Sequence, residues 1–359
     1  MNEYKRLGDY IREVNVRNRD LKITKPMGIN IDKHFMPSVA NVIGTDLSNY
    51  KLVSKRQFAC NLMHVGRDEK IPMAIMESDN PIIVSPAYFV FEVSNPNILL
   101  PEYLMMWFSR KEFDRNAWFY TDADVRGGMD KDALLDMRLP FPSIERQREI
   151  VAEYETLSKR IRLNEQMIST LKATAQTLYR KMFVDGIDKE NLPDGWRMGK
   201  IGDLAEVNSG KTCNDKSDKK DDQYKYPVAG ASGIIGFSST YNFDEKLMTT
   251  GRVGTLGVVN RYHAKMYMAD NVLIIRSNYY EYCYQLLNSL DYNDITKGGV
   301  QSLITQTDLK ECSVIIPTKE HLELFESEST SLYSFVEIKK QENKKLTELQ
   351  SLLLAKMGR

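Results

Sequence analysis

Two stretches of the chain place apolar residues at the spacing of a long helix. In the first, apolar or small residues recur in steps of three and four from Ile150 to Met182, and Asn164 occupies one remaining slot. A heptad pattern held over more than four repeats predicts a helix of about 40 residues whose apolar stripe faces a partner helix. The seam residues are Leu157, Ile161, Ile168, Leu171 and Leu178.

The second stretch allows two registers. One stripe is equivalent to that of the first helix and contains Leu332, Val336, Leu346 and Leu353. The remaining slots of this stripe are polar and hold Lys339, Asn343 and Gln350. A competing apolar stripe is formed by Phe335, Ile338 and Leu349. Neither helix can bury its stripe alone, so we expect an antiparallel coiled coil; the alternative is that each helix packs only on its own domain.

Both helices belong to a repeat that extends over most of the chain. Residues 134–183 align without a gap on residues 309–358, so that Pro142 falls on Pro317, 175 residues later. Further matches, at other offsets, pair Leu7–Asp9 with Ile201–Asp203 and Gly127-Gly128 with Gly298-Gly299. A repeat of so large a period predicts two similar domains, each followed by a long helix. The predicted boundaries are 1–142, 143–183, 184–317 and 318–359.

Each module is predicted to mix strands with short helices. Apolar and aromatic runs at residues 58–63 and 82–93, bordered by prolines, predict strands, as do the glycine-rich runs of residues 226–276. Short helices are predicted at residues 101–113 and from about 280 to 290. The expected fold class is therefore α+β, with two similar mixed modules joined by two long paired helices.

Composition adds little to this picture. The 359-residue chain is 42% hydrophobic, and its 49 basic side chains equal its 49 acidic ones. This length has room for two domains, and zero net charge indicates neither nucleic acid nor a membrane, although a balanced total can hide a basic face. There is no run of about 18 apolar residues, and residues 1–10 are too charged for a signal peptide. We therefore expect a cytoplasmic protein that does not enter a membrane.

Common catalytic signatures are absent from the sequence. The four histidines lack metal-ligand spacing and the four cysteines form no Cys-x-x-Cys pair, so we expect no metal and interpret the cysteines as buried thiols. Gly-x-Ser-x-Gly, the phosphate-binding Gly-x4-Gly-Lys-Ser/Thr and the Asn/Asp-Pro-Pro-aromatic signature of adenine methyltransferases do not occur. Hydrolysis and methyl transfer thus lose their usual sequence markers.

Two glycine clusters need separate interpretations. Residues 230–236 lack the spacing and the following helix of a dinucleotide-binding fingerprint, so we predict a tight connection between strands. Residues 251–257 are similar, and their glycines permit either tight turns or a close approach to a nucleic-acid backbone.

Several strings in this order resemble a known family. In the first copy they are NLMHVGRD at 61–68, VSPAYFVF at 84–91 and LPFPSIERQ at 139–147. In the second they are LPDGW at 192–196, IGDLAEVNSGK at 201–211 and GIIG at 233–236, followed by GR at 251–252. Together they resemble the specificity subunit of type I restriction-modification systems over essentially the whole chain. One departure is PTKEH at 317–321, which lacks the Pro-x-x-Glu-x-Gln of the first copy.

The resemblance implies a non-catalytic subunit that reads DNA. Its two target-recognition domains would each read one half of a bipartite double-stranded target, and the paired helices would set the spacer and dock two methyltransferase subunits. Those subunits would bring S-adenosylmethionine, and restriction or translocase subunits would bring ATP and Mg²⁺. No cofactor is expected on the chain itself.

Basic and amide side chains in loops are the candidates for DNA contact, since phosphates attract Lys and Arg while base edges are read by Arg, Lys, Asn and Gln. In the first module we select Arg17, Arg19, Arg56, Arg67 and Arg126. In the second we select Lys211, Lys225, Arg252, Arg261, Lys297 and Gln301. The alternative for each is a solvated surface position. For Arg67 and Arg252 a further alternative is that the arginine braces its loop through a carboxylate such as Asp68.

Two other classes of function are consistent with parts of the pattern. A coiled-coil adaptor would use both modules to bind proteins, and a mobility-shift assay with DNA would distinguish it. An enzyme with an unrecognised site would be distinguished by binding of S-adenosylmethionine to the isolated chain.

Overall fold

The computed structural model describes residues 3–40, 44–63, 65–121, 127–253, 256–295 and 303–357. The chain forms two compact units, one of residues 1–164 with 341–359 and the other of residues 165–340. Each unit therefore contains one module together with a part of each long helix.

The described residues of the first unit form three small antiparallel or mixed sheets. Its strands are β1 (Tyr4–Arg6), β2 (Ile11–Glu13), β3 (Pro26–Ile29), β4 (Phe35–Pro37), β5 (Lys51–Val53), β6 (Phe58–Cys60), β7 (Met73–Ile75), β8 (Ile82–Val84), β9 (Phe89–Val93) and β10 (Arg138–Pro140). They pair in the orders β2-β9-β6-β7, β4-β3-β8-β5 and β1-β10. Its short helices are α1 (Val65–Asp68), α2 (Pro101–Phe108), α3 (Lys111–Phe119) and α4 (Lys131–Asp136).

The helix predicted at residues 101–113 is interrupted and becomes α2 and α3. Ser109 donates its backbone N–H to carbonyls of the last turn of α2, and its hydroxyl also bonds Met105 O at 2.9 Å. Arg110 then takes an extended conformation, which ends α2 and places α3 in a new direction. The prediction was wrong here because the apolar spacing continues across the break.

Aromatic rings fill the core of the first unit. Phe58 on β6 stacks on Phe91 on β9 with ring centroids 5.0 Å apart, and Phe108 of α2 meets both rings edge-on. Val151 of the first long helix and Met357, the residue that follows the second, are buried in the same cluster, and Leu354 of the second long helix packs against it. Both long helices are thus part of this core.

A long helix, α5 (Ile144–Phe183), follows the first module and leads to the second. The strands of the second module are β11 (Arg197–Lys200), β12 (Glu206–Ser209), β13 (Tyr226–Gly230), β14 (Gly233–Ser238), β15 (Leu247–Gly251), β16 (Asn260–Tyr262), β17 (Tyr267–Met268), β18 (Val272–Arg276) and β19 (Ser313–Ile316). They pair in the orders β12-β18-β15-β16, β14-β13-β17 and β11-β19. The remaining helices are α6 (Tyr280–Ser289), α7 (Tyr292–Ile295), α8 (Gln306–Glu311) and the long α9 (Lys319–Lys356). Short 3-10 turns lie at Leu7–Asp9, Leu47–Asn49 and Ile201–Asp203.

The glycine cluster at residues 230–236 is a β-hairpin. Gly230 pairs with Gly233 across a two-residue turn that joins β13 to β14. Gly233 has a φ of 133°, which side chains other than glycine rarely adopt. The prediction of a tight strand connection is confirmed.

The long helices have the predicted lengths, 40 residues for α5 and 38 for α9. Along α9 the stripe that faces α5 is the one equivalent to the first helix: Val336 is buried, whereas Phe335, Ile338 and Leu349 are about half exposed. The α+β fold with two long packed helices is confirmed. Among the helices described, none combines the length and apolar character needed to cross a membrane.

The four cysteines are unpaired. Cys60 and Cys283 are buried, and burial raises the pKa of each thiol to about 12, which makes both unreactive. Cys213 and Cys312 are only half-buried. Within the described ranges, no cluster of three or more His, Cys, Asp or Glu side chains could hold a metal ion.

Candidate functional site

Two predicted basic residues of the first module meet at the 3-10 turn Leu47–Asn49. Arg17 donates from Nη1 to the carbonyl oxygen of Asn49 at 2.5 Å, and Arg19 donates from Nη1 to the Asn49 side chain at 3.4 Å. Arg19 is exposed and Arg17 half-buried. The turn therefore gathers two positive charges at one point of the surface.

Arg56 and Arg67 are each held by a carboxylate. Arg56 makes a two-pronged contact with Glu102, at 3.0 and 2.9 Å, and Arg67 makes the same kind of contact with the adjacent Asp68, at 2.7 and 3.0 Å. Both guanidinium groups remain largely exposed, so these pairs add little to stability. The Arg67–Asp68 contact is the bracing arrangement that the sequence left as an alternative.

Close backbone contact fixes the segment that carries Arg67. Gly66 donates its N–H to Gly127 O at 2.8 Å, and a Cβ on Gly66 would lie only 2.7 Å from Gly127 Cα. Only glycine fits at both positions, because the obstacle is backbone and cannot move aside. The two glycines thus join α1 to the segment that follows residues 122–126.

In the second module the predicted residues lie apart from one another. Lys211 is exposed, and its backbone N–H bonds Met268 O at 3.0 Å. Lys225 is also exposed, with Nζ 5.6 Å from the centre of the Tyr226 ring. Arg252 is half-buried, at the end of β15. Three further candidates, Arg126, Lys297 and Gln301, lie outside the described residues.

Arg261 occupies a mostly buried site on β16. Its guanidinium donates to Glu281 Oε1 at 2.7 Å and lies 3.7 Å from the centre of the Tyr333 ring on α9. The rings of Tyr280 and Tyr284 approach it at 5.0 and 4.7 Å. A buried charge needs such partners, and cation–π contacts strengthen when they are desolvated. Arg261 therefore has structural partners on α6 and α9.

Within the first unit, α5 and α9 are joined by a polar layer. Asn164, which is 2% exposed, donates to Asn343 Oδ1 at 2.8 Å, and Asn343 donates to Ile161 O at 3.3 Å. Further along, Gln350 donates to Ser158 Oγ at 2.7 Å. As the residue number rises on α5 it falls on α9, so the helices are antiparallel here. Two of the three polar slots predicted for α9, at 343 and 350, lie in the interface.

Within the second unit the seam is apolar. A buried cluster of Ala175, Tyr333 and Val336 is completed by Ile168, Leu171, Leu332 and Tyr284. Closer to the module, Tyr179 and Phe183 of α5 pack against Phe325 of α9, with ring centroids 6.0 and 5.4 Å apart. The helices are antiparallel here too, and their ends belong to the core of the module.

An open apolar groove lies between α5 and α9 in the first unit. It has a volume of about 560 Å³ and is lined by Ala152, Glu153, Thr156, Leu157, Leu349, Leu352, Leu353 and Lys356. Leu349 and Leu352 are 48% and 58% exposed. Large apolar side chains left in water at one groove are typical of a surface that binds a partner.

Two residues that the sequence did not single out connect the long helices to the modules. Gln147 on α5 is fully buried and bonds the backbone at the start of α2. Glu326 on α9 accepts backbone N–H bonds from the start of α6, and burial raises the pKa of its carboxyl. Gln147 was visible only as the last residue of Pro-x-x-Glu-x-Gln, and nothing in the sequence distinguishes Glu326.

Comparison with known sequences shows which proteins this chain is similar to. Residues 193–348 match the family described as "Type I restriction modification DNA specificity domain". The chain is also 23% identical over 371 residues to the specificity subunit of the type I restriction enzyme HindI of Haemophilus influenzae, covering 77% of this chain and 80% of that protein.

Solved structures agree in fold. The S subunit of a type I restriction-modification system from M. genitalium aligns with a TM-score of 0.62 over 99% of this chain and 95% of that chain, at 14% identity. A chain from a structural study of complex assembly and conformational transition in the type I system aligns with a TM-score of 0.50 over 99% of this chain and 97% of that one, at 16% identity. The predicted resemblance to the specificity subunits of type I restriction-modification systems is confirmed.

Proposed function

We propose that this chain reads the DNA target of a type I restriction-modification complex, each module contacting one half of a bipartite double-stranded sequence. Duplication is the observation that carries the proposal. The specificity domain matched at residues 193–348 includes most of the second copy of a repeat. The first copy precedes it, and residues 134–183 align without a gap on residues 309–358. Two reading modules in one chain suit a target with two separated halves.

The DNA-facing surface is proposed from the basic residues that remain accessible. Arg17 and Arg19 around Asn49, Arg67, Lys211 and Lys225 offer positive charge to phosphates in a chain with no net charge. Arg252 is retained, and Arg56 would have to share its guanidinium with Glu102. Arg261 is left out, because its guanidinium is mostly buried between Glu281 and aromatic rings.

The groove between α5 and α9 is proposed to dock a methyltransferase subunit. Its exposed leucines are apolar, and Glu153 and Lys356 at its border could pair with charges on a partner helix. In this proposal the chain itself is not catalytic. Methylation with S-adenosylmethionine, and ATP- and Mg²⁺-dependent steps of restriction or translocase subunits, take place on its partners.

A module exchange tests the proposal. Residues 1–142 are replaced by the equivalent module of a relative, and the chimera is expressed with the cognate methyltransferase in cells whose methylated sites are then mapped. One half of the methylated sequence should change while the other half and the spacer stay the same. A change in both halves would mean that the two modules read DNA jointly. If the purified complex of the wild-type chain and the methyltransferase did not retard DNA in a mobility-shift assay, that result would favour a protein adaptor.

A paired insertion tests whether the helices set the spacer. Because Asn164 bonds Asn343, one heptad must be added to both helices, after Asn164 and before Gln341. Seven residues add about 10 Å to each helix, which corresponds to about 3 bp of DNA. The spacer should lengthen with both half-sites unchanged, whereas insertion into α5 alone should misalign the seam. An unchanged spacer in a paired variant that still methylates DNA would refute the ruler.

A further inference from the structure

Gln147 ties the first turn of α5 to the first module. Its side chain accepts the Leu100 N–H at 2.9 Å and donates to Ile98 O and Pro142 O, each at 3.0 Å. Leu100 immediately precedes α2, where backbone N–H groups have no partner inside the helix. One buried side-chain amide thus hydrogen-bonds backbone groups next to the start of a module helix and next to the start of the long helix.

The second copy makes an equivalent contact from a different position. The repeat offset of 175 places Leu322, which is buried and cannot hydrogen-bond through its side chain, where the first copy has Gln147. One turn later, Glu326 accepts N–H bonds from Glu281 at 3.2 Å and Tyr282 at 2.8 Å, in the first turn of α6. The position equivalent to Glu326 in α5 is Val151, also buried.

The two positions have therefore exchanged character between the copies. At one position the first copy has the polar Gln147 and the second copy has the apolar Leu322. At the other position the first copy has the apolar Val151 and the second copy has the polar Glu326. Each copy needs one polar contact, since a buried N–H without a partner is costly, and each fills the other position with apolar packing. The polar contact has moved by one helical turn.

Charged neighbours reinforce the contact in the second copy. Glu281, which is 1% exposed, accepts from Lys246 at 3.1 Å and from Arg261 at 2.7 Å. Arg261 in turn lies over the ring of Tyr333, seven residues after Glu326 on α9. This buried network connects β16, α6 and α9, so the module and the helix are held at several points within the second unit.

We infer that Gln147 and Glu326 are positioning residues that fix each recognition module on its long helix. This inference rests on the proposed function. If the modules read half-sites and the helices set their separation, a loosened module tolerates more than one spacer length. The sequence read by each module would not change, because neither side chain is exposed.

Mapping of methylated sites in cells that express the variants with their methyltransferase tests the inference. Gln147→Leu and Glu326→Val each remove the polar contact and keep apolar packing. Each should lower the preference for the wild-type spacer over spacers one base pair longer or shorter by about tenfold, equivalent to about 1.4 kcal/mol, with both half-sites intact. Glu326→Gln keeps an acceptor of the same shape and should retain the preference.

The matched control is Glu323→Val, a change of the same type at an exposed position one turn earlier on α9. It should leave the spacer preference unchanged. A residue that merely stabilised the fold would lower methylation at all spacers equally, and that outcome in Gln147→Leu and Glu326→Val would overturn the inference. If Glu326→Val does not fold, Gln147→Leu alone decides. Absence of a bipartite methylated sequence with the wild-type chain would instead refute the proposed function.

Discussion

Phe325 and Phe335 test the register of α9 most directly, because the same residue type lies ten positions apart on one helix with opposite surroundings. Phe325 is fully buried among Tyr179, Phe183 and Tyr282, whereas Phe335 is 55% exposed. The stripe equivalent to the first helix buries Phe325, and the competing stripe would bury Phe335. Truncation of the two rings should therefore have very different effects on stability.

The expected magnitudes follow from burial. Phe325→Ala removes a ring from a closed aromatic cluster and should cost about 3–5 kcal/mol of the free energy of unfolding. Phe325→Leu keeps most of the volume and should cost roughly 1 kcal/mol, so it provides a milder variant that folds. Phe335→Ala should change stability by no more than about 0.5 kcal/mol, since half of the ring already contacts water.

Urea unfolding followed by tryptophan fluorescence measures these differences. Trp196 lies in the core of the second unit, 5.8 Å from the Phe183 ring, so a background with Trp107→Phe and Trp118→Phe leaves one reporter near Phe325. At an m-value of about 3 kcal/mol/M, the loss in Phe325→Ala lowers the midpoint by about 1–2 M. Equal shifts for Phe325→Ala and Phe335→Ala would refute the assigned register.

Three further predictions concern backbone contact, charge and pH. Gly66→Ala should cost about 1–3 kcal/mol because its Cβ would lie 2.7 Å from backbone, whereas Gly128→Ala meets only an ordinary contact at 3.8 Å; thermal melts would show whether the two differ. If Arg67 and Arg252 contact phosphate, Arg67→Ala and Arg252→Ala should each reduce the slope of log affinity against log salt concentration by about one; if they read guanine, each loss should cost about 1–3 kcal/mol of binding free energy at one base position. Unchanged affinity, slope and specificity in a folded double variant would exclude both residues from the DNA interface. Burial raises the pKa of Glu326 above its ordinary 4.5, so the stability linked to its protonation is complete below that value and is lost as pH rises through the folded pKa. The wild type should therefore gain stability over Glu326→Gln on acidification from neutral pH to about 4.5, and an unchanged difference in melting temperature between the two proteins would contradict this.

The sequence predicted the features that depend on periodicity. The two long helices could be predicted from the heptad spacing between Ile150 and Met182 and from the matching prolines. In an amphipathic helix the residues of the buried face are apolar and recur every three or four positions, so the sequence alone shows them. The hairpin at residues 230–236 was also predictable, since glycines close to each other in the sequence adopt the backbone conformations that a tight turn requires.

Features that depend on tertiary neighbours were beyond the sequence. Arg261 was selected as a DNA contact, yet its partners are a glutamate 20 residues away and a tyrosine on α9. Polar seam residues left the register of α9 open, because Asn343 is a good seam residue only opposite Asn164. The contact of Glu326 could not be predicted either, since the equivalent residue of the first copy is Val151.

The division of the long helices between the two units has a consequence for the order of events during synthesis. The second unit is one continuous segment, residues 165–340, and all of its core residues have been synthesised before Gln341 is added. The first unit combines residues 1–164 with residues 341–359, and Met357 is buried in the same core cluster as Val151. Domains usually complete their folding from the N-terminus as the chain emerges. Of the two modules, the one made earlier is thus completed later, and it presents an uncovered apolar face on α5 until residues 341–357 have been synthesised.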